Sequence, residues 1–453
     1  MNRRDYLRAL AVAGTAGLAG CGGNSEGTST LPETVQQAME EAEETDTETA
    51  TATETPTEPS AVPLDWRTYA RDATNARYVA EQPDIAGEYE VNWAADVSST
   101  SRVVAGGETL FVQSDRDHVA SSLSAIDPNG EVRWTWDAGE IGGTVYADGA
   151  VAGLTRDGDV IVLDPETGER TALVSDVGTE PDVSLNQVSE SGLFVTVSSE
   201  SYDPSELAIV DLTAGEMVHQ STVESMAGVY ETVISDGEII LIGAAPVEST
   251  WQDNPMMVQR RDLETGEVLG SFERNWLREA DMGWAHWTTV DGSTVFSVTN
   301  RSGMQYDESR YGMVAYESDG SRHWQRPELF VNTAVSPPLL DDERVYLIGG
   351  DTILALDRES GEEQWQYETT GAFSPGSIIT DEALLVPDRF QEGEIRVHRI
   401  DPASGDATRV PMYTSDGEGG LYDQPVVRLR PASEGIYARG TELRHLTPVD
   451  GDE

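Results

Sequence analysis

One turn motif recurs eight times along the 453 residues and limits the fold more than any other feature of the sequence. In each copy a short apolar strand ends at an acidic or polar residue, and a glycine follows three or four positions later. First positions of successive copies lie 37 to 55 residues apart, a spacing typical of four-stranded propeller blades. The copies are Asp127–Gly130, Asp164–Gly168, Asp211–Gly215, Asp262–Gly266, Glu317–Gly320, Asp357–Gly361, Asp401–Gly405 and Thr447–Gly451.

The residue types in this motif are those of a tight β-hairpin. An Asp side chain accepts hydrogen bonds from backbone N–H groups two residues further on, and the glycine takes the positive φ that returns the chain. Three copies place a tryptophan (Trp134, Trp324 or Trp365) four residues after the glycine. The repeat therefore predicts antiparallel hairpins whose register is the same from copy to copy.

The last copy lacks its outer strand, because the chain ends at Glu453, two residues after Gly451. A segment with the pattern of an outer strand, 88–97, lies near the other end with no repeat unit before it. Pairing of these two ends would leave no exposed sheet edge at the junction. We therefore predict an all-β protein, an eight-bladed β-propeller of four-stranded antiparallel blades over residues 62–453, closed by an N-terminal strand that completes the last blade.

The charge composition predicts the solvent in which the protein works. There are 82 acidic and 29 basic residues, all of the latter arginine, for a net charge of −53. Such a surface repels nucleic acid and anionic lipid, and its self-repulsion is tolerable only when salt screens it. The composition resembles that of haloarchaeal proteins, and we expect a high-salt habitat and no nucleic-acid partner.

Residues 1–21 have the pattern of an export signal: a basic start, an apolar run over residues 7–18, and small residues before a cysteine. The run is too short to span a membrane. Arg3 and Arg4 begin a string that resembles a twin-arginine signal, and residues 18–21 resemble a lipobox. Cys21 is the single cysteine of the chain, so we expect it to carry the lipid; the alternative is an unmodified cysteine in the signal.

Residues 22–61 are rich in Thr, Glu, Ser and Pro and poor in apolar side chains. Such a segment cannot bury a core and is held extended by its own charge. We predict a disordered tether between the lipid anchor and the propeller.

The unit from Ala355 to Trp365, Ala-Leu-Asp-x-x-x-Gly-x-x-x-Trp, resembles the repeat of the pyrroloquinoline-quinone-binding-like β-propellers. The segment 65–78 also resembles the N-terminal sequence of exported members of that superfamily. The resemblance covers most of the chain from Asp65 onward, although the copies at Asp211 and Asp401 lack the tryptophan. It implies the fold, whereas carriers of the repeat differ widely in function.

Quinoprotein dehydrogenases of that family carry adjacent cysteines that form a disulfide against the cofactor. A chain with one cysteine, in its signal, lacks that pair, so we expect no quinone cofactor. The sequence has no nucleophile elbow, phosphate loop or zinc-ligand spacing. The acidic pairs Asp115/Asp117 and Asp157/Asp159 lack calcium-loop spacing, so we predict no metal site.

One aromatic segment stands out in the longest connection between turns. It holds Trp276, Arg278, Trp284, His286 and Trp287, and Trp with Arg is the usual composition of interface anchors. We name these five residues the aromatic patch and regard them as a candidate binding site. The alternative is that Trp284 and Trp287 lie on an inner strand and pack between blades, as large aromatics in propellers do.

These features favour an exported, lipid-anchored propeller that works as a non-catalytic binding or scaffold module on the outer face of the cytoplasmic membrane. Its partners would be membrane or cell-surface proteins, by analogy with the propeller lipoprotein of the outer-membrane barrel assembly machinery. The alternatives are a cofactor-dependent oxidoreductase and a cell-surface carbohydrate binder.

Overall fold

The computed structural model describes part of the chain, and every described residue lies in a compact unit that begins at Glu58. These residues form strands and turns and contain no helix. The described residues are 89–95, 100–116, 120–137, 141–155, 157–178, 186–198, 205–226, 228–245, 256–274, 284–301, 309–331, 333, 335–369, 372–373, 376–380, 382–389, 395–412, 428–431, 436–439 and 443–448.

The strands form the predicted eight-bladed β-propeller of four-stranded antiparallel blades. Blade 1 comprises, from the first strand to the last, β2 (Thr100–Gly106), β3 (Thr109–Arg116), β4 (Ala120–Ile126) and β5 (Val132–Trp136), and blade 2 comprises β6 (Ile141–Ala147), β7 (Ala150–Thr155), β8 (Val160–Leu163) and β9 (Arg170–Val174). Blade 3 comprises β10 (Gln187–Val188), β11 (Leu193–Ser198), β12 (Ser205–Asp211) and β13 (Glu216–Val223), and blade 4 comprises β14 (Gly228–Ser235), β15 (Glu238–Ala244), β16 (Met256–Asp262) and β17 (Val268–Arg274).

Blades 5 to 8 follow the same order, except that the first strand of blade 7 is split in two and the last strand of blade 8 is the first of the described strands. They comprise β18 (Trp284–Asp291), β19 (Thr294–Arg301), β20 (Arg310–Glu317) and β21 (Arg322–Val331); β22 (Leu339–Leu340), β23 (Arg344–Gly349), β24 (Thr352–Asp357) and β25 (Glu363–Glu368); β26 (Ala372–Phe373) with β27 (Ile378–Ile379), β28 (Leu384–Arg389), β29 (Ile395–Ile400) and β30 (Ala407–Met412); and β31 (Arg428–Pro431), β32 (Ile436–Arg439), β33 (Leu443–Pro448) and β1 (Tyr89–Ala95).

The first strand of each blade lies innermost. Strands β2, β6, β10, β14 and β18 contact one another in that order, so they surround the axis, and the last strand of each blade lies at the periphery. Buried apolar side chains fill the spaces between neighbouring blades. Blades 7, 8 and 1 share one such cluster, to which Tyr89 and Ala95 of β1 belong.

The turns have the bonds that the motif predicts. At the turn of blade 2, the Gly168 N–H donates to the Asp164 carbonyl at 2.9 Å with φ at 70°. The Asp164 carboxylate accepts the backbone N–H groups of Glu166 and Thr167. The same glycine-to-first-residue bond, with positive φ, occurs at the glycines of the other described turns: Gly130, Gly215, Gly266, Gly320, Gly361 and Gly405. The eighth glycine, Gly451, lies outside the described residues.

Each tryptophan of the motif lies on the turn of the following blade. The Trp134 ring covers Gly168 so closely that a Cβ there would lie 2.6 Å from the indole, and its N–H donates to the Pro165 carbonyl at 3.0 Å. We call this contact the indole dock. The other docks join Trp93 to Pro128 and Gly130, Trp324 to Arg358 and Gly361, and Trp365 to Pro402 and Gly405.

Blades without the tryptophan fill the same place with other side chains. Phe272 lies over Gly320, the His219 ring lies over Gly266, and Ala172 lies against Gly215. The turn glycine is thus the constant part of the junction, because any Cβ there would meet the side chain of the preceding blade. The side chain above it varies from an indole to a methyl group.

The pairing predicted between the two ends of the repeat region is present. Strand β1 runs antiparallel to β33, with Ala94 opposite Arg444 and Val91 opposite Leu446. Trp93 packs against Tyr437 and His445 of blade 8 and forms its indole dock with blade 1. We expect this strand to close the ring.

A candidate binding surface around the central channel

Bulges recur near the start of the inner strands. Ser101 of β2, Tyr230 of β14 and His286 of β18 each lie at a register shift, five residues before the end of their strand. Blade 2 has its bulge at residues 143–144. A bulge inserts an extra residue and re-aims side chains, and bulges are common beside functional sites. The bulged positions thus lie near the same end of four of the eight described inner strands.

Tyr230 is the described aromatic residue of this series. Its side chain is 36% exposed although it lies on an innermost strand, and partial burial raises the pKa of its hydroxyl. Glu231 follows it and is half-buried. Strands β14 and β18 are in contact, so Tyr230 and His286 occupy equivalent positions on adjacent inner strands.

The structure divides the aromatic patch. Trp276 and Arg278 lie outside the described residues. Trp284 and His286 lie on β18, opposite Asn300 and at the bulge respectively, and their side chains are not described. Trp287 is described in full, and the patch as a binding site stays a prediction.

Trp287 packs between blades. Its half-buried ring contacts the buried cluster that joins blades 5 and 6, and its N–H donates to the Val335 carbonyl at 3.1 Å. The contacts of Trp287 thus agree with the alternative prediction, in which this side chain packs between blades. Tyr230, which the sequence pattern did not single out, is a partly exposed aromatic residue on an inner strand.

Several buried polar side chains of the inner strands bind other groups of the ring. Thr144 donates to Gln113, which in turn donates to the Ile141 carbonyl. Thr288 is hydrogen bonded to Ser297 at 3.0 Å. Thr289 donates to the Pro338 carbonyl at 2.9 Å. These bonds tie the inner strands to the second strand of their own blade or to the adjoining blade.

Two of the described histidines are buried among other side chains. His398 is fully buried between Tyr367 and Phe373, and His445 is fully buried beside Trp93. Within the described ranges no three His, Cys, Asp or Glu side chains are grouped so as to hold a metal ion. Of the acidic pairs, the Asp159 carboxylate accepts the backbone N–H of Asp176.

The proposed lipid and export residues, Cys21, Arg3 and Arg4, lie outside the described residues, as do the signal and the tether. No helix in the described part of the chain is long and apolar enough to cross a membrane.

Comparison with known proteins gives a partial family match. Residues 256–440 match the family model described as "Outer membrane protein assembly factor BamB". The matched region covers the two outer strands of blade 4, blades 5 to 7, and β31 and β32 of blade 8. No curated protein matches the sequence.

Solved structures share the fold at low identity. BamB from Moraxella catarrhalis has a TM-score of 0.51 at 14% identity, over 81% of this chain and 99% of that chain. A europium-containing methanol dehydrogenase has a TM-score of 0.56 at 12% identity, over 84% and 89%. The quinohemoprotein alcohol dehydrogenase from Comamonas testosteroni has a TM-score of 0.55 at 13% identity, over 87% and 83%. At such identity the likeness establishes the propeller fold, which an assembly factor and two dehydrogenases share.

Proposed function

We propose that this protein is an exported, lipid-anchored propeller that acts as a non-catalytic scaffold for protein partners on the outer face of the cytoplasmic membrane. The observation that carries the proposal is the set of hydrogen bonds that the indole groups donate. Five described indole N–H groups, those of Trp93, Trp134, Trp287, Trp324 and Trp365, donate to backbone carbonyls. Four of them join one blade to the next through a dock, from which we infer a rigid ring.

A rigid ring suits a scaffold because a preorganised surface loses little conformational entropy when a partner binds. The match of residues 256–440 to the assembly-factor model supports this function over the dehydrogenase alternative. The absence of a second cysteine from the sequence supports it too, since the disulfide of the quinoprotein dehydrogenases needs two.

The composition of the chain offers a clean test. The sequence contains 82 carboxylates and no lysine, so a carbodiimide couples its carboxylates to the lysines of a partner and cannot join two copies through side-chain amines. We expect coupling in native membranes, at molar salt, to give discrete adducts whose linked peptides lie in the ring. Adducts confined to residues 22–61, or none, would contradict the scaffold function.

The anchor is tested separately with Cys21→Ser. The tether has no apolar segment to hold the protein on a membrane, so we expect the variant to appear in the medium while the wild type sediments with membranes. A Ser variant that stays in the pellet after a high-salt wash would contradict the lipid anchor.

A further inference from the structure

One buried position of blade 4 departs from the repeat. The residue directly before the first position of the turn motif is buried in all eight blades, and in seven of them it is aliphatic or aromatic. In blade 4 this residue is Arg261, which is 5% exposed. Positions that break a local rule of the fold are often functional. The residues at the same position in the other blades are Ile126, Leu163, Val210, Tyr316, Leu356, Ile400 and Leu446.

The Arg261 guanidinium lies between blades 3 and 4. Its Nη1 donates to the Ser221 hydroxyl of β13 at 2.9 Å and to the Gly266 carbonyl of the blade 4 turn at 3.1 Å. Its Nε donates to the Gln259 Oε1 at 2.6 Å. The amide of Gln259 is itself held, because its Nε2 donates to the Ser225 hydroxyl at 2.7 Å. These bonds fix the orientation of the guanidinium and connect it to both blades.

The positive charge of Arg261 has no carboxylate partner among the described residues. The three groups that accept its hydrogen bonds are neutral oxygen atoms. The adjacent Arg260, in contrast, is paired with Glu238. A buried ion without a counter-ion is costly. Burial lowers the pKa of Arg261, but a guanidinium stays protonated in proteins, so the charge remains.

The Nη2 nitrogen is the open donor of this guanidinium. It donates to no group in the described part of the chain. It is also absent from the fully buried polar atoms that lack a partner, so solvent reaches it. Because the residue as a whole is almost completely buried, the opening suits a small ion and not a side chain. An anion there would accept the Nη2 hydrogens and neutralise the buried charge.

The solvent that the composition predicts supplies such an ion. At a net charge of −53 the protein repels anions in dilute buffer. At about 1 M salt this repulsion is screened within about 3 Å. A chloride ion at molar concentration then occupies a site whose dissociation constant is only about 0.2 M, and its binding to the folded state stabilises the fold.

We propose that Arg261 holds a chloride ion between blades 3 and 4. The ion accepts hydrogen bonds from Nη2 and is the missing counter-ion of the guanidinium. Salt thus stabilises this junction as a bound ligand, in addition to screening the carboxylates of the surface. The inference goes beyond the scaffold function and does not depend on it.

The test is urea unfolding of the full chain in about 2 M sodium salt, with chloride replacing isethionate, a larger monovalent anion, in steps. Urea is uncharged, so the ionic strength and the screening stay constant. We expect the unfolding equilibrium constant of the wild type to fall about tenfold and to level off, as a dissociation constant of about 0.2 M requires. Arg261→Met should show only the general effect of exchanging the anion.

The matched control is Arg260→Met, which changes the net charge by the same amount and leaves Arg261 in place. It should keep the full chloride response of the wild type. An equal response of the wild type and Arg261→Met would overturn the proposal. Loss of the response in Arg260→Met would overturn it too, since the effect would then follow net charge and not the site.

A second measurement needs no variant and therefore does not depend on whether Arg261→Met folds. Crystals of the wild-type chain in molar sodium bromide should show anomalous density from a bromide ion within hydrogen-bond distance of the Arg261 Nη2. Absence of this density would overturn the proposal.

Discussion

The indole N–H of Trp93 donates to the Pro128 carbonyl at 2.9 Å, although Trp93 belongs to the last blade and Pro128 to the first. The same bond joins Trp365 of blade 6 to Pro402 of blade 7, also at 2.9 Å. Trp93, which lies near the start of the described residues, thus forms the same contact as Trp365 forms within the repeat. This contact joins blade 8 to blade 1.

Replacement of Trp93 should weaken the whole ring. Loss of a packed aromatic costs about 3 kcal/mol or more, so Trp93→Ala and Trp365→Ala should lower the free energy of unfolding by similar amounts in denaturant titrations at molar salt. Val132→Ala, at a half-exposed outer position, is the control and should have little effect. Wild-type stability of Trp93→Ala would refute closure by β1.

A disulfide across the same junction gives a geometric check. Ala94 and Arg444 are register partners, and a cysteine pair at these positions, with Cys21 replaced, should cross-link under mild oxidation of the folded protein. The pair Ala94 and Leu446, which are out of register, is the control.

The indole dock explains why the turn needs glycine. Gly361 has φ at 69°, and its Cβ would lie 2.5 Å from the Trp324 ring. Gly237 has φ at 75° and no atom within 4 Å of such a Cβ. Gly237→Ala should therefore cost about 1 kcal/mol for the backbone alone, and Gly361→Ala about 2 kcal/mol more for the clash. Equal unfolding free energies for the two variants would contradict the dock.

The turn carboxylates should make stability fall in acid. Hydrogen bonds from the side chain and backbone of Ser360 lower the pKa of Asp357, and a backbone bond from Ser404 lowers that of Asp401. A lowered folded pKa adds stability above the ordinary value, which is lost as the pH falls through the folded pKa. The difference in unfolding free energy between wild type and Asp357→Asn should shrink below about pH 4. A difference that is constant with pH would contradict this origin.

Salt should control the stability of the ring. At net −53, lowering the salt from about 1 M to about 0.1 M lengthens the Debye length from about 3 Å to about 10 Å and strengthens repulsion among carboxylates. We expect the unfolding temperature to fall steeply on dialysis. An unchanged value would remove the argument for a high-salt habitat.

The sequence predicted the parts of the fold that repeat. Asp, Gly and Trp at fixed offsets located the turns and identified β1 as an outer strand, because turn chemistry is local and leaves a pattern. The contact of Phe272 with Gly320 was not predicted, because Phe272 lies at a different distance along the chain from the turn before it than Trp134 does. The indole dock was also hidden, because it joins residues about 35 positions apart.

The candidate site was harder to predict because its geometry arises from bulges. A bulge shifts the alternation of side chains between the two faces of a strand by one residue, and the sequence carries no sign of this shift. Tyr230 therefore has the pattern of an ordinary strand residue. The aromatic patch overlaps β18, one of the bulged inner strands. It gave no information on which side chains leave the blade interface, and Trp287 packs within it.

The central claim is that the ring is a platform and not a quinone enzyme, and calorimetry in molar salt tests it most directly. Pyrroloquinoline quinone is titrated into the full chain in the presence of Ca²⁺, and dye reduction is followed with alcohol as the electron donor. We predict no heat of binding and no dye reduction. A submicromolar affinity, or alcohol-dependent reduction of the dye, would contradict the claim.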